Sequence, residues 1–576
     1  MIRKIVKSVR EYKLATFLTP LFVALETIME VIIPFLMAIL IDKGITNSNM
    51  NVIYITGIIL VLCALLSLTF GYLSGYFAAV SSSGFAKNLR HDMYYKVQDF
   101  SFYNVDKFSS SSIVTRLTTD VSNVQQAYQM ITRIAVRAPL NFFFSLIMAF
   151  IINAKVSLVF LCIIPVLIIS LFYIASKARK AFEKLFKTYD VLNNKIQENV
   201  RGIRVVKAFV REDEEIRKFE KTNKKIFDYS TLAEKILAFN SPIMQFCMYL
   251  AIILISWFSS RLIITNNMTT GELTSLITYS STILSSLMML SMIYVMITMA
   301  IPSVKRCVEI LDEIPDIKNP RNGIKEVKTG SIEFKNVDFS YVKNLDKLSL
   351  KNINLKIKKG ETIGIIGATG SSKTTLINLI PRLYDVTSGE VLVDNIDVKK
   401  YDLKALRDNV AVVLQKNVLF KGTIYENICW GKENASLEEV RKVAKIANAD
   451  EFIMSFPDKY DTILEQGGVN LSGGQRQRVC IARALIKKPK ILILDDSTSA
   501  VDTKTDANIR EELSKLKSCT KIIIAQRVQS VMDADRIIVM ENGTINAFDT
   551  IENLLKDNEI FKDIYYSQLK GGKING

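Results

Sequence analysis

Apolar residues are unevenly distributed along the chain: long runs fill about the first 300 positions, and shorter runs follow. Six of the long runs approach the roughly 20 apolar residues that a helix needs to cross a bilayer. The predicted spans lie at about 16–42, 53–80, 133–152, 156–176, 237–264 and 272–300. We therefore expect an all-helical membrane domain with six transmembrane helices in the N-terminal half.

The charges between the spans predict the orientation of the chain. The links after the first, third and fifth spans are short and contain few basic residues, namely Lys43, Lys155 and Arg261. The links after the second and fourth spans are long and basic, with Lys87, Arg90, Lys96, Arg116, Lys177, Arg179, Lys180, Lys184 and Lys187. Because cytoplasmic loops are enriched in Lys and Arg, both termini and both long links are expected in the cytoplasm. The chain is thus predicted to be a multi-pass protein of the cell membrane.

The two long links are predicted to continue the spans as helices, because charged and apolar residues alternate in them at helical spacing. Helical extensions of about 20 residues reach roughly 30 Å beyond the membrane. The stretches Lys107 to Asp120 and Arg201 to Phe209 are predicted to form the tips. Tips at that distance could contact a cytoplasmic domain.

Glu26 and Glu30 lie within the first predicted span, on one face of the helix. Charged groups at this depth are costly and usually face a cavity or a partner. One hypothesis is a substrate cavity for cationic compounds or a proton-linked group. The alternative is a structural ion pair with Arg133 or Arg137, near the start of the third span.

The net charge of +17 raises the possibility of nucleic-acid binding. The basic residues flank apolar spans, however, as they do in membrane proteins, and no nucleic-acid-binding motif accompanies them. We therefore expect membrane lipid, and no nucleic acid, among the partners. The abundance of Lys, Asn and Ile indicates an AT-rich bacterial genome.

A segment rich in Pro, Gly and Asn divides the chain. It is interpreted as a linker at 313–329 between a membrane domain, 1–312, and a second domain, 330–568, with a flexible tail at 569–576. Strand-like and helical runs alternate in the second domain, which predicts an α/β fold.

A phosphate-binding loop follows the first buried strand of this domain. It reads Gly367-Ala368-Thr369-Gly370-Ser371-Ser372-Lys373-Thr374, and Thr375 continues into a helix. Backbone N–H groups at such a helix N-terminus cradle phosphates. Lys373 is expected to meet the β- and γ-phosphates of ATP, and Thr374 to bind Mg²⁺ together with Asp495. Ser372 departs from the motif, which has glycine at this position.

A second motif, Leu471-Ser472-Gly473-Gly474-Gln475, lies about 20 residues before Asp495. With this pentapeptide at this spacing, the chain resembles the ATP-binding cassette (ABC) transporter family over essentially its whole length. The order of six spans followed by one cassette is similar to that of an exporter half-transporter.

The resemblance implies further roles. Tyr341 would stack on adenine, Gln415 would contact Mg²⁺, and the loop Ser499-Ala500-Val501-Asp502 would cross between two cassettes. In this family two cassettes bind ATP head to tail. Each site combines the phosphate loop of one chain with the signature pentapeptide of the other, so Leu471 to Gln475 would act in trans. ATP and Mg²⁺ are therefore the expected cofactors.

Two positions of the hydrolytic machinery are altered. Asp496 stands where efficient ATPases of the family have glutamate, and Gln526 stands where they have histidine; the one histidine of the chain, His91, lies far from the cassette in sequence. The shorter Asp carboxylate could miss the attacking water by about 1 Å, a displacement that can cost roughly a hundredfold in rate. Glutamine can hydrogen-bond a phosphate but cannot carry a proton.

The chain therefore resembles the degenerate-site subunit of a heterodimeric exporter, with a partner half-transporter that carries Glu and His. Neutral drift in a homodimer is the alternative. The expected activity is ATP-driven export of hydrophobic, amphipathic or cationic compounds, as in multidrug exporters, with hydrolysis mainly at the partner's site. A lipid or peptide exporter, and an ATP-gated channel or regulatory subunit, are the competing hypotheses.

Overall fold

The chain forms two compact units in a computed structural model that describes residues 2–342, 344, 346–497 and 500–572. The helical unit comprises Met1–Asp99 and Ser109–Glu313, and the α/β unit comprises Phe100–Phe108 and Ile314–Gly576. This division differs from the predicted boundaries at residues 100–108, because the contacts of that segment are with the α/β unit.

Six helices in the described part of the chain are long and apolar enough to cross a membrane. Membrane helices 1 to 6 span Arg3–Ile45, Met50–Gln98, Ser110–Ile152, Ala154–Arg201, Glu212–Ile264 and Thr270–Asp312. Every predicted span lies within one of them. The predicted helical continuation of the long links is confirmed, since the second and fourth of these helices have 49 and 48 residues.

Three membrane helices contain local irregularities. Membrane helix 1 consists of a 3-10 segment at Val6–Tyr12, the α-helix Lys13–Ile39 and a π-helical turn at Leu40–Ile45. Membrane helix 3 consists of Ser110–Thr115, a π-helical turn at Arg116–Asp120 and Val121–Ile152. Membrane helix 5 is interrupted between Glu212–Ala238 and Asn240–Ile264.

The structure corrects one predicted tip and agrees with the other. The first tip is the short helix Phe102–Phe108, whereas most of the predicted Lys107 to Asp120 stretch already belongs to membrane helix 3. Membrane helix 3 begins at Ser110 because Ser109 caps it: the Ser109 side chain accepts a hydrogen bond from the backbone N–H of Ser112. The second tip is the helix Ile203–Ala208, as predicted.

Membrane helices 1 and 6 are joined by hydrogen bonds to the part of helix 1 that contains Pro34. The Tyr279 hydroxyl donates to the Val31 carbonyl at 2.6 Å, and the Ser275 hydroxyl donates to the Pro34 carbonyl at 2.5 Å. At the end of helix 1, Asp42 accepts from the Gly271 backbone N–H at 2.8 Å. These hydrogen bonds join helix 6 to helix 1 at two levels, around Pro34 and at the end of helix 1.

Three sheets form the frame of the α/β unit among its described residues. The strands are β1 Ile332–Phe339, β2 Leu350–Ile357, β3 Thr362–Gly367, β4 Ser388–Val393, β5 Ile396–Asp397, β6 Val410–Val413, β7 Gly422–Thr423, β8 Ile463–Leu464, β9 Ile491–Asp495, β10 Thr520–Ile524, β11 Arg536–Glu541 and β12 Thr544–Asp549. The largest sheet has the order β12-β11-β3-β10-β9-β6 and is parallel except for β12. A four-stranded antiparallel sheet, β2-β1-β4-β5, and the pair β7-β8 complete the frame.

The helices of the α/β unit follow these strands. They are Lys373–Asn378, Leu403–Asn409, Ile424–Cys429, Leu437–Ile446, Asp450–Ser455, Gly473–Leu485, Thr503–Ser514, Ile551–Asp557 and Glu559–Gly572, besides Phe102–Phe108. The last helix includes residues 569–572, which the sequence assigned to a flexible tail, and residues 573–576 lie outside the described part of the chain. The membrane all-α half followed by an α/β domain is the predicted fold class, which is thus confirmed.

Candidate functional site

The carboxyl ends of adjacent parallel strands bring the predicted site residues together. Strand β10 lies between β3 and β9 in the sheet, with all three parallel. The phosphate loop follows β3, Asp496 follows β9, and Gln526 comes shortly after β10. Ligand sites of open α/β sheets form at this edge.

Lys373 and Thr374 occupy the first turn of the helix after the phosphate loop. The Lys373 ammonium donates to the carbonyls of Gly367 and Ala368, both at 2.8 Å. Burial lowers the pKa of Lys373, against the opposing charge of the neighbouring carboxylates. The Thr374 hydroxyl donates to the two carboxylate oxygens of Asp495 at 3.0 and 3.2 Å. These adjacent hard oxygens suit Mg²⁺, so the residues fit the expected metal.

Ser372 adopts a left-handed backbone conformation, with φ 71° and ψ 25°. Glycine populates this region freely, whereas a Cβ atom makes it unfavourable. Local backbone geometry, as well as close approach to phosphate, therefore favours the glycine of the motif. This chain keeps the glycine-type conformation with a serine in place.

We predict that Ser372→Gly stabilises the protein. Relief of the left-handed strain, about 1–2 kcal/mol, exceeds the entropic cost of glycine, about 0.5–1 kcal/mol. The thermal midpoint of the purified chain should rise by about 1–4 °C. Ser371→Gly is the matched control at a buried neighbour outside the left-handed region, and it should lower the midpoint. A rise in the control as large as that of Ser372→Gly would contradict the interpretation.

The two altered positions contact each other directly. The Gln526 side-chain amide donates to an Asp496 carboxylate oxygen at 3.0 Å, and the Gln415 side chain also hydrogen-bonds this carboxylate. Burial raises the pKa of Asp496, and the two amides oppose the rise only in part. The sequence placed both residues at the same chemical step but did not reveal their hydrogen bond. The neighbouring strands that precede them are the signal that could have found it.

Tyr341 lies beside the phosphate-loop helix. Its hydroxyl donates to the Thr375 hydroxyl at 3.1 Å, and its ring packs edge-on against Tyr384 with centroids 5.2 Å apart. Tyr341 keeps 38% of its surface exposed, so part of the residue is accessible to a ligand.

Tyr384 connects this aromatic group to the short helix Phe102–Phe108 and was not identified from the sequence. Its hydroxyl donates to an Asp106 carboxylate oxygen at 2.8 Å, and its ring lies 6.0 Å from that of Phe102. Burial, together with the Asp106 charge, raises the pKa of Tyr384. Because Asp106 and Tyr384 are 278 positions apart, no local pattern could have paired them.

The signature pentapeptide begins the helix Gly473–Leu485. The Ser472 hydroxyl accepts from the Gln475 backbone N–H at 3.2 Å, and the Gln475 side chain accepts from the Ser472 N–H at 2.9 Å. This capping box fixes the helix N-terminus, where anions are favoured. A Cβ atom on Gly474 would lie 2.9 Å from the Ala500 carbonyl, so the glycine permits close packing of the next loop.

That loop is the predicted dimer-crossing loop. The Ala500 N–H donates to the Gln477 side chain at 3.2 Å, which attaches the loop to the signature helix. Asp502 caps the helix Thr503–Ser514 by accepting from the Thr505 N–H at 3.0 Å. Ser499 lies outside the described residues.

Glu26 and Glu30 are paired with Arg137. The Arg137 guanidinium lies 3.2 Å from Glu26 and also contacts Glu30. Ser74 donates to Glu26 at 3.3 Å, and Asn141 donates to Glu30 at 3.5 Å. The contacts favour the structural ion pair over an open substrate cavity and identify Arg137 as the partner. The cluster nevertheless has two carboxylates for one guanidinium.

We predict that Arg137→Gln destabilises the helical unit by about 3 kcal/mol, because it leaves two carboxylates without a countercharge in an apolar setting. The triple variant Glu26→Gln, Glu30→Gln, Arg137→Gln should recover most of the loss. The measurement is the thermal midpoint in detergent, with Arg133→Gln, one turn away on the same helix, as the control. Unchanged stability of Arg137→Gln would show that the pair is not structural. Selective loss of cationic-dye transport in the folded Glu26→Gln, Glu30→Gln variant would restore the substrate hypothesis.

The chain is similar to known proteins over nearly its whole length. Residues 16–287 match the model of the ABC transporter transmembrane region, and residues 350–499 match the ABC transporter model. The chain is 37% identical to the Bacillus subtilis ABC transporter ATP-binding protein YfiB, over 98% of both chains. It is 30% identical, over 99% of both chains, to Bacillus subtilis YgaD, whose name proposes a multidrug export ATP-binding/permease protein. The fold is similar to that of a bacterial Atm1-family ABC exporter solved with ATP bound, with a TM-score of 0.81, 22% identity, and 97% and 98% of the two chains covered.

Proposed function

Because this chain belongs to the ABC transporter family, we propose that it is the degenerate-site subunit of a heterodimeric, ATP-driven exporter. It is a multi-pass membrane protein with an ATP-binding domain fused to its membrane half. The observation that carries the proposal is the contact between Asp496 and Gln526. The two residues stand where an efficient site has glutamate and histidine, while the signature pentapeptide remains intact.

ATP and Mg²⁺ would be held by residues that already lie together. The phosphate loop and Lys373 would bind the phosphates, Tyr341 would stack on the base, and the oxygens of Thr374 and Asp495 would bind Mg²⁺ with Gln415 nearby. Bound Mg²⁺ neutralises phosphate charge. The Thr374 hydroxyl, 3.0 Å from Asp495, supports this assignment.

The chain's own site would hydrolyse ATP slowly. The Asp496 carboxylate is one methylene shorter than glutamate, and two amides, from Gln415 and Gln526, hold it by hydrogen bonds. A carboxylate engaged in this way is a poorly placed base for the attacking water. Gln526 supplies an amide where a histidine would supply positive charge. ATP bound here would act mainly to keep the two cassettes together.

Hydrolysis would occur at the second site. That site would combine the phosphate loop, glutamate and histidine of the partner half-transporter with the Ser472 signature of this chain. The capping box fixes the Ser472 helix terminus, which supports its use as a preorganised anion site.

The segment 100–108 would transmit cassette movement to the membrane half. Asn104 is buried, with 1% of its surface exposed, and its amide donates to the Ile314 carbonyl at 3.4 Å. Ser101 hydrogen-bonds Asp316, and Asp106 holds Tyr384. The same segment is covalently continuous with membrane helices 2 and 3. If one arrangement of the cassettes binds ATP more tightly than another, ATP shifts the population toward that arrangement. The segment 100–108 would pass this shift on to the membrane helices.

The proposed substrates are hydrophobic or amphipathic compounds, moved out of a bacterial cell. The name of YgaD supports multidrug export, and both Bacillus relatives support a bacterial origin. The basic long links support cytoplasmic termini and a cytoplasmic ATP-binding domain.

Coexpression tests the proposal. The chain is purified alone and together with a candidate half-transporter that has Glu and His at the positions of Asp496 and Gln526. Alone it should bind ATP with little turnover; the complex should hydrolyse ATP and move cationic and neutral dyes into inside-out vesicles. Turnover of about 1 s⁻¹ or more by the lone chain would contradict the heterodimer. If lipids or peptides, rather than dyes, stimulate ATP hydrolysis by the complex, the proposed substrate class is wrong.

A further inference from the structure

One side chain of the last helix binds the backbone that positions Gln526. The Gln568 side-chain amide donates to the Gln526 carbonyl at 2.9 Å and accepts from the Val528 N–H at 2.8 Å. The two hydrogen bonds enclose Arg527 between them. We call this pair of bonds the amide clamp.

Apolar packing attaches the rest of the last helix to the same region. Phe561 is completely buried and belongs to one core cluster with Ala525 and Val528, the residues on either side of the 526–527 pair. Leu554, on the preceding helix, is in the same cluster. The helix is therefore anchored by Phe561 and reaches the loop through Gln568, about two turns further on.

Gln526 and Arg527 act on Asp496 in two ways. Gln526 donates its side-chain hydrogen bond to the Asp496 carboxylate, and Arg527 places a positive charge near the same carboxylate. A shift of the backbone at 526–528 would move both groups with respect to Asp496.

We propose that Gln568 is a positioning residue for this chain's own nucleotide site: the amide clamp holds Gln526 where it meets the γ-phosphate of bound ATP. The inference rests on the proposed function, in which this site binds ATP. ADP lacks the phosphate that Gln526 would meet. The clamp therefore contributes to the preference for ATP over ADP and little to the binding of ADP.

The clamp and its consequence can be measured separately in the full-length protein. Gln568 is exposed, so its substitution removes hydrogen bonds without opening the core. Gln568→Ala loses both bonds, whereas Gln568→Glu keeps an acceptor for the Val528 N–H and loses the donor to the Gln526 carbonyl. Ser567→Ala is the matched control, because the Ser567 hydroxyl donates to Ile564 of its own helix at 3.0 Å.

The first readout is hydrogen exchange of the Val528 amide in the nucleotide-free protein. Exchange should accelerate roughly five- to tenfold in Gln568→Ala, in line with the loss of one hydrogen bond, and stay near wild type in Gln568→Glu and Ser567→Ala. Equal exchange in wild type and Gln568→Ala would overturn the clamp. This readout needs no nucleotide.

The second readout is the ratio of the dissociation constants for ADP and ATP, measured with Mg²⁺. The ratio should fall roughly five- to tenfold in both Gln568 variants, with ADP affinity unchanged, and stay constant in Ser567→Ala. Faster exchange with an unchanged ratio would overturn the positioning role. Equal losses for ATP and ADP would assign the helix a structural role only. Failure of the wild-type chain to bind ATP would overturn the proposed function itself, whatever the exchange data show.

Discussion

Ser472→Arg is expected to abolish ATP hydrolysis by the assembled heterodimer while ATP still binds at Lys373. The substitution puts a long cationic side chain at the N-terminus of the signature helix, where the γ-phosphate of the partner's nucleotide would dock. Loss of a preorganised group at a reacting phosphate costs about a hundredfold or more in rate. The measurement combines steady-state ATPase activity with photo-crosslinking of labelled ATP to each subunit.

The control for this variant is Ser436→Arg. Ser436 caps the helix Leu437–Ile446 through the same kind of capping box, with its hydroxyl 3.2 Å from the Glu439 N–H, as for Ser472 and Gln475. Both variants lose one helix cap, which costs about 1 kcal/mol. Only Ser472→Arg should stop turnover. Normal ATPase activity of that variant, or equal loss in the control, would show that the signature does not act in the partner's site.

The double variant Asp496→Glu, Gln526→His is expected to raise hydrolysis at this chain's own site by roughly a hundredfold. Glutamate restores the reach of the carboxylate, and histidine removes the amide that now binds it. Because the two side chains are hydrogen-bonded, their effects should be coupled, and each single variant should gain less than about tenfold. The measurement is single-turnover hydrolysis by the assembled heterodimer, because this site needs the partner's signature pentapeptide. The partner's catalytic glutamate is changed to Gln so that the second site does not contribute.

Lys373→Ala in the double-variant background locates the gain. If the new activity arises at this site, removal of the phosphate-binding ammonium should eliminate it. Activity that survives Lys373→Ala comes from the partner's site or from a contaminant. A folded, ATP-binding double variant with no gain would mean that another feature, such as Ser372, limits the site.

The sequence predicted those features that short motifs determine. The phosphate loop and the altered pair follow neighbouring parallel strands, so their meeting at one sheet edge could be expected, and the signature pentapeptide is a contiguous motif. The six spans were found because membrane length and apolar composition are local properties. The left-handed conformation of Ser372 was not predicted. A glycine in a motif can serve either a left-handed backbone or close approach to a ligand, and the motif alone does not distinguish the two.

Long-range contacts account for what the sequence did not reveal. The first helix tip is determined by contacts of Ser101 and Asn104 with residues more than 200 positions away, so the local pattern placed it too late. Arg133 and Arg137 lie one helical turn apart on one face, and only packing distinguishes which of them pairs with Glu26. The hydrogen bond between Tyr384 and Asp106 likewise joins residues that are distant in the sequence.

The assignment of residues 100–108 to the α/β unit has a topological consequence. The backbone passes between the two units three times, at 99–100, 108–109 and 313–314. A protease cut between 313 and 329 would remove only one of these covalent connections. The C-terminal fragment would still be hydrogen-bonded to the short helix Phe102–Phe108 of the other fragment, through Tyr384 and Asp106. It should therefore sediment with the membranes. Its release would require a chaotrope, or two further cuts, one on each side of the short helix Phe102–Phe108.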